Sequence, residues 1–198
     1  SRQVRLLALS AAFCFVIMMF NVPIHGGTTG HAVGGVLVAI LLGPWAACIA
    51  VSIALIIQAL LFGDGGITCI GANCFNMAVI MPFVGYGVYK LISGRSDVRS
   101  PLRWIGAAIG AYMGLNVAAI TTGFEFGIQP LICHDTAGHA LFAPYPLNIA
   151  VPAMALEHLV IFGIVEAVVT GLVVAYLQKA DTNLFYKTKK SDEEGEKV

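Results

Sequence analysis

The stretch VGGVLVAILLGPWAACIAVSIALIIQALLF, residues 33–62, contains no charged side chain and is interrupted only at Gly43-Pro44. A glycine followed by proline ends a helix, because proline lacks a backbone N–H and glycine adopts conformations that other residues avoid. The apolar run after the break, Trp45 to Phe62, is close to the roughly 20 residues that cross a bilayer as a helix. The run before the break is shorter. This stretch therefore predicts a short helix followed by a membrane-spanning helix.

The low charge continues on both sides of this stretch. Asp64 is the only charged residue between Arg5 and Lys90. Of the 198 residues, 58% are hydrophobic and 11% are charged, and the mean hydropathy is +0.85, whereas soluble domains carry roughly 25% charged residues. These values predict an integral protein of the lipid bilayer. The formal net charge of +0 provides no basic surface for nucleic acid.

The whole chain divides into apolar segments and a polar tail. The segments cover residues 4–22, 31–42, 45–62, 71–92, 102–122 and 147–178. They predict an all-α integral membrane protein, a bundle of about six transmembrane helices. The second segment is short for a crossing, and it is predicted as a half-helix or as a crossing at a thinned or sheltered place. Residues 1–179 are predicted as the membrane domain and 180–198 as a tail that needs no fold.

Lysine and arginine residues indicate the orientation in the membrane. They precede the first segment, separate the fourth from the fifth and follow the sixth, as Arg2, Arg5, Lys90, Arg95, Arg99, Arg103, Lys179, Lys187, Lys189 and Lys190. Such residues concentrate in cytoplasmic loops. We therefore predict a multi-pass protein with a cytoplasmic C-terminal tail. The glycine-rich loops 23–30, 63–71 and 123–146 are then predicted to converge on the outer face.

The richest candidate site is the run VPIHGGTTGHAVGG, residues 22–35, with His25, Thr28, Thr29 and His31 at a membrane boundary. Its glycines let the backbone approach a ligand closely. A neutral imidazole is a good ligand for nickel, copper, cobalt or zinc. His31 also opens the second predicted helix. The same residues fit a capping loop with interfacial histidines, and the pattern leaves both interpretations open.

A second candidate stretch, GDGGITCIGANCFNM, covers residues 63–77. Asp64 fits a solvated turn before two glycines better than a metal ligand. Asn73 and Asn76 are three residues apart on a predicted helix, so they are expected to share a face. They are predicted to cap the helix or to orient a ligand histidine. Cys69 and Cys74 do not have the spacing of a zinc site.

The remaining polar side chains form a third group: Glu125, His134, Asp135 and His139 in the predicted outer loop, and Glu157, His158 and Glu166 in the last segment. The loop histidines are interpreted as solvated, with attraction of cations as the alternative. A carboxylate in so apolar a helix is expected to be paired. Glu166 is therefore predicted to have a structural or coupling role. The sequence has no phosphate-binding glycine loop with lysine and serine or threonine, so the chain is not expected to hydrolyse ATP itself.

An ordered series of motifs resembles a known family. The series is HGGTTGHAVGG (25–35), LLGPWAA (41–47), QALLFGDGGIT (58–68), GANCFNMA (71–78), EFGIQP (125–130), APYPL (143–147) and VEAVVT (165–170). It is similar to the substrate-capture subunit of cobalt and nickel energy-coupling-factor transporters, the CbiM/NikM family. The resemblance covers roughly residues 4–178.

This resemblance implies that the chain captures cobalt(II) or nickel(II) as a transported substrate, with no organic cofactor, in a prokaryotic plasma membrane. The implied partners are a transmembrane coupling subunit, two cytosolic ATP-binding-cassette ATPases and, often, a small accessory membrane subunit. The resemblance associates the chain with cobalamin biosynthesis, and the sequence does not distinguish this pathway from the supply of nickel enzymes. A transporter subunit of this kind is not an enzyme.

The resemblance also implies a nearly square-planar, nitrogen-rich metal site. Its ligands are the N-terminal amine, the amide and imidazole of a histidine at the second position, and a loop histidine that matches His31. Asn73 matches a position beside this site, and Thr28, Thr29 and Asp64 are candidates for supporting the loop. His25 stands where the family commonly has proline and receives no role. The family's Met-His terminus and one further first helix have no match here, so a processed or truncated start is expected.

Two other functions are kept as alternatives. A capture subunit for an organic vitamin would have more aromatic residues in its outer loops. An intramembrane metal-dependent enzyme would use His31, Asp64 and Glu166, but the sequence offers no pairing of nucleophile and base to support it.

Overall fold

The computed structural model describes residues 2–24, 28–181 and 184–185, and its chain is mainly helical. Its elements in order are α1 (Arg2–Met18), β1 (Val22–Ile24), β2 (Thr28–Gly30), α2 (Gly35–Leu42), α3 (Pro44–Phe62), α4 (Ile67–Ser93), α5 (Pro101–Ile132) and α6 (Leu147–Ala180). Within the described residues, the four helices α3 to α6 are long and apolar enough to span a membrane, and α1 is a shorter apolar helix. The predicted all-α membrane fold is confirmed.

Helix α2 is a half-helix surrounded by protein. Its eight residues rise about 12 Å, well short of the roughly 30 Å of hydrocarbon. The residues from Gly35 to Ile40 are all buried. Gly43, at a φ of 90°, ends α2, and Pro44 occupies the first turn of α3. A helix that stops inside the membrane is tolerated where protein shields its ends.

The residues before α2 differ from the prediction. His31 was predicted to open the helix, but residues 31–34 are non-helical and α2 begins at Gly35. The physical reason is that Gly34 adopts a left-handed conformation with a φ of 77°, which interrupts helical geometry. An antiparallel hairpin precedes this segment, with Val22 opposite Gly30 and Pro23 opposite Thr29. No sequence pattern predicted this hairpin.

Helix α5 is longer than predicted and continues to Ile132. Glu125, predicted in the outer loop, therefore lies on a helix. Gly123 and Gly127 were interpreted as loop residues, but they allow α6 to pack closely against α5: a Cβ at Gly127 would lie 2.6 Å from the Leu147 Cα. Small residues at a helix contact let two backbones approach in a membrane protein.

Hydrogen bonds between loops define the two ends of the bundle. At one end, Asn21 Nδ2 donates to Asp64 Oδ2 at 3.3 Å, which joins the ends of α1 and α3. At the other end, Gln178 Nε2 donates to the carbonyl oxygens of Val98 and Ser100 at 2.5 and 3.0 Å. The basic loop between α4 and α5 thus lies at the same end as the C-terminus of α6. Residues 186–198 lie outside the described part of the chain, so the tail stays a prediction.

Three spanning helices contain a π-helical turn. These turns are Gln58–Phe62 in α3, Cys74–Ile80 in α4 and His158–Phe162 in α6. Each turn contains a buried polar residue: Gln58, Asn76 or His158. Because π-turns are rare and are found frequently at functional sites, they direct attention to the region that these helices enclose.

Candidate functional site

The His31 ring has one nitrogen bonded and one nitrogen directed away from that bond. Its Nδ1 lies 3.1 Å from the carbonyl oxygen of Ala32, so the Nδ1–H donates there. In that tautomer Nε2 carries the lone pair, which is the form that binds a metal ion. A fixed partner on one ring nitrogen is how proteins set the tautomer of a ligand histidine.

Burial lowers the pKa of His31 below its usual value. The bond to Ala32 and the negative charge of Asp64 act in the opposite direction, but the effect of burial is the largest. The ring is therefore neutral around pH 7, because the ordinary histidine pKa is already about 6.5. A neutral ring is available to a cation without first losing a proton.

The loop that follows His31 is held by a carboxylate from α6. Glu166 Oε2 accepts a hydrogen bond from the backbone N–H of Val33 at 2.8 Å. Both Glu166 carboxylate oxygens lie within hydrogen-bond distance of the Gly34 backbone nitrogen, Oε1 at 2.9 Å and Oε2 at 3.1 Å. The Glu166 side chain is fully buried. Two successive N–H groups facing one carboxylate form an anion-binding concavity in the backbone.

Glu166 was predicted to have a structural or coupling role, and its partner was not identified. Its carboxylate fixes the backbone two and three residues beyond His31. One signal pointed to such a contact: a single carboxylate in a long apolar helix needs a donor. The donors are backbone groups, which no pattern of side chains reveals.

The π-helical turn of α6 packs against the segment that precedes His31. Gly30 lies against the Phe162 ring, so closely that a Cβ at Gly30 would overlap Phe162 Cε2. The centroids of the His158 and Phe162 rings are 5.5 Å apart. His158 donates from Nδ1 to the Met154 carbonyl at 2.8 Å. Sequence reasoning assigned no role to His158 or Phe162.

Hydrogen bonds from Asn21 and Asn73 hold the loop between α3 and α4, which contains Asp64. Asn73 Nδ2 donates to the carbonyl oxygen of Gly65 at 3.1 Å, and Asn21 Nδ2 donates to Asp64 Oδ2 at 3.3 Å. Gly65 has a φ of 71°, a conformation suited to glycine. Asp64 is partly buried and close enough to influence His31. The arrangement gives Asn73 a bond that supports the loop, and it places a negative charge near the predicted ligand.

Asn73 and Asn76 make different contacts. Asn76 is buried and donates from Nδ2 to Glu125 Oε2 at 2.6 Å, which joins α4 to the C-terminal part of α5. Thr29 is exposed in β2, opposite Pro23. The backbone of Thr28 pairs with Ile24, but its side chain and the whole of His25 lie outside the described residues.

The histidines of the loop after α5 are exposed. His139 Nδ1 lies 3.1 Å from Asp135 Oδ2, and the pKa of Asp135 is lowered mainly by its hydrogen bond with the His139 N–H. His134 pairs with Ala140 through the backbone. Within the described ranges, no three histidine, cysteine, aspartate or glutamate side chains come together to hold a metal ion. His31 thus offers one ligand in that part of the chain.

The chain matches known proteins along most of its length. A family model described as the cobalt uptake substrate-specific transmembrane region, CbiM, matches residues 1–184. A fused nickel transport protein, NikMN, of Rhodobacter capsulatus is 57% identical over 179 residues, which cover 90% of this chain and 52% of that protein. A probable fused nickel transport protein, LarMN, of Lactiplantibacillus plantarum is 54% identical over 181 residues, which cover 91% and 54%. The chain thus spans about half the length of these two relatives.

A solved structure has the same fold. A crystal structure described as a truncated transition metal transporter superposes with a TM-score of 0.85 at 55% sequence identity, covering 91% of this chain and 82% of that one.

Proposed function

Because the chain belongs to the CbiM family of cobalt uptake substrate-specific transmembrane regions, we propose that it captures cobalt(II) or nickel(II) and that His31 is one of the ligands. The observation that carries this proposal is the geometry of residues 31–34. Ala32 fixes the ring tautomer, and Glu166 fixes the backbone beside it. The result is a preorganised imidazole whose lone pair is on Nε2.

The chemistry of this ligand fits the proposed substrate. Imidazole binds nickel(II) and cobalt(II) well, and a nitrogen-rich square set would also accept copper(II). His31 supplies one nitrogen, and we expect the other ligands to come from groups outside the described residues. Because those ligands must be deprotonated to bind, capture is expected to weaken in acid.

We propose that the ion reaches the site from the outer side. Asp64 is a carboxylate near His31 at the end of the bundle opposite to the basic residues. A negative charge at the mouth of a site raises the local concentration of cations. We propose that the ion enters there and that the loops around residues 22–30 and 63–66 close over it.

Release to the cytoplasm is proposed to need partners. The sequence has no phosphate-binding loop motif. We therefore infer a coupling membrane subunit and two cytosolic ATPases, with a small accessory subunit, as the family resemblance implies. An enzymatic role for Glu166 is disfavoured, because its carboxylate is already bonded to Val33 and Gly34.

The test is to replace His31 by alanine in a full-length protein that carries a native Met-His amino terminus. Nickel and cobalt content after equilibrium dialysis would be measured by elemental analysis. We expect affinity to fall by more than the roughly 10- to 100-fold that loss of a supporting residue causes. His139→Ala, which removes an exposed imidazole, is the matched control and should bind normally. Undiminished binding by the His31→Ala protein would remove His31 from the site.

A further inference from the structure

A cavity lies between the N-terminus of α5 and the C-terminus of α6, at the end of the bundle opposite to His31. Its volume is about 520 Å³. The lining residues are Arg99, Pro101, Trp104, Ala175, Gln178 and Lys179. The proposed capture function does not use this cavity.

Two cationic side chains, Arg99 and Lys179, line the cavity. Arg99 and Lys179 are both exposed, and neither forms an ion pair with any residue in the described ranges. Arg103 is different, because its guanidinium donates to the Tyr89 hydroxyl and the Ser96 carbonyl. The nearby Asp97 carboxylate accepts the backbone N–H of Arg99 at 2.8 Å and does not line the cavity. The cavity therefore carries two positive charges.

The shape of the cavity is fixed by bonds that join its two sides. Gln178 donates its amide to the Val98 and Ser100 carbonyls, so the loop before α5 is tied to the end of α6. Gly171 lies on α6 more than one turn before the cavity and packs closely against α5. A Cβ at this position would lie 3.1 Å from the Ala108 Cβ. The positive end of the α5 dipole, at Pro101, adds to the potential.

An apolar path leads from the cations along α6 into the membrane. Leu172, Tyr176 and Lys179 lie three to four residues apart and share one helix face. Leu172 and Tyr176 are 66% and 68% exposed. Trp104 is also exposed beside the cavity. Tryptophan and tyrosine with a neighbouring lysine are typical of the level at which lipid headgroups lie.

We propose that this cavity binds the headgroup of an anionic phospholipid, with the phosphate between Arg99 and Lys179 and an acyl chain along Leu172 and Tyr176. The charge of the cavity fits an anion, and the exposed apolar stripe below it fits a chain. Basic pockets between helices on the cytoplasmic side of membrane proteins bind such headgroups. A free phosphate would use the cations but not the stripe.

The experiment uses Trp104 as a reporter. Tryptophan occurs at 45 and 104 only, so Trp45→Phe in the full chain leaves Trp104 as the single indole. Its fluorescence would be titrated in mixed micelles with phosphatidylglycerol or phosphatidylcholine, each carrying a quenching spin label near the top of an acyl chain. We expect phosphatidylglycerol to quench at a mole fraction on the order of ten-fold lower.

The double substitution Arg99→Gln with Lys179→Gln should abolish this preference, while Arg95→Gln, an exposed cation outside the cavity, should keep it. Equal quenching by the two lipids, or a preference that survives the double substitution, would overturn the proposal. If inorganic phosphate changed the Trp104 fluorescence in phosphatidylcholine micelles while phosphatidylglycerol gave no excess quenching, the cations would be assigned to a free anion and the proposal would be overturned. Metal binding by the same variants should be unchanged, so the outcome is independent of the capture function.

Discussion

The Glu166 carboxylate accepts the backbone N–H of Gly34 at 2.9 Å, across 132 positions of sequence. This contact joins the middle of the last spanning helix to the loop that carries His31. Because the carboxylate is fully buried, a lost donor would leave a charge in a low-dielectric environment. The pairing therefore restrains the loop, since moving Gly34 away would leave the carboxylate without its partner.

Glu166→Gln is expected to weaken nickel and cobalt binding by roughly 10- to 100-fold without removing a ligand. Glutamine keeps the shape but has one acceptor oxygen, and its amide nitrogen, in place of Oε1, would face the Gly34 N–H donor. The measurement is metal affinity by equilibrium dialysis in the full-length protein. Glu125→Gln is the matched control, because that carboxylate accepts a hydrogen bond from Asn76 and none from the backbone of residues 31–34. Equal losses in both variants would show that loop positioning is not the cause.

Gly34→Ala is expected to destabilise the protein by more than the roughly 1–2 kcal/mol of a left-handed alanine. Gly34 has a φ of 77°, and a Cβ there would lie 2.5 Å from Phe13 Cε1. The neighbouring Gly35→Ala is the control, because its Cβ would have no contact closer than 3.4 Å. Thermal unfolding in detergent should give a lower Tm for Gly34→Ala than for Gly35→Ala. Similar Tm values would mean that the loop relaxes around the new methyl group.

The sequence predicted the helices well where local chemistry determines them. Pro44 and Pro101 occupy first turns, and the Gly43 break was visible because its cause lies in two adjacent residues. Contacts between distant residues were not predicted. Glu166 with Gly34 and Asn76 with Glu125 join positions 132 and 49 residues apart. The end of α5 was missed because Gly123 and Gly127 resemble loop glycines until the α6 backbone is seen against them.

Gly110→Ala is expected to destabilise the bundle by roughly 1–3 kcal/mol or more, the cost of overpacking. A Cβ at Gly110 would lie 2.5 Å from the Gly85 carbonyl oxygen, and a backbone atom cannot rotate away. Gly87→Ala on the same helix pair is the control, because its Cβ would meet open space. Alanine should be neutral or favourable there. A chemical-denaturation series in detergent would show the difference, and equal midpoints would refute a tight contact between α4 and α5.

The effect of pH on stability should reveal that the partly buried His31 ring is kept neutral. Because burial lowers the pKa of His31 in the folded protein, the unfolded chain binds a proton first as the pH falls below the ordinary value of about 6.5. This contribution to stability is complete above that value and is lost as the pH falls toward the lower folded pKa. The His31→Ala protein lacks it. Between about pH 7.5 and pH 5.5, the wild-type Tm should therefore fall more steeply than the Tm of His31→Ala.

The control is His134→Ala, which removes an exposed imidazole; its Tm should follow that of the wild type over the same pH range. Parallel curves for wild type and His31→Ala would contradict the inference that this ring is kept neutral for a cation.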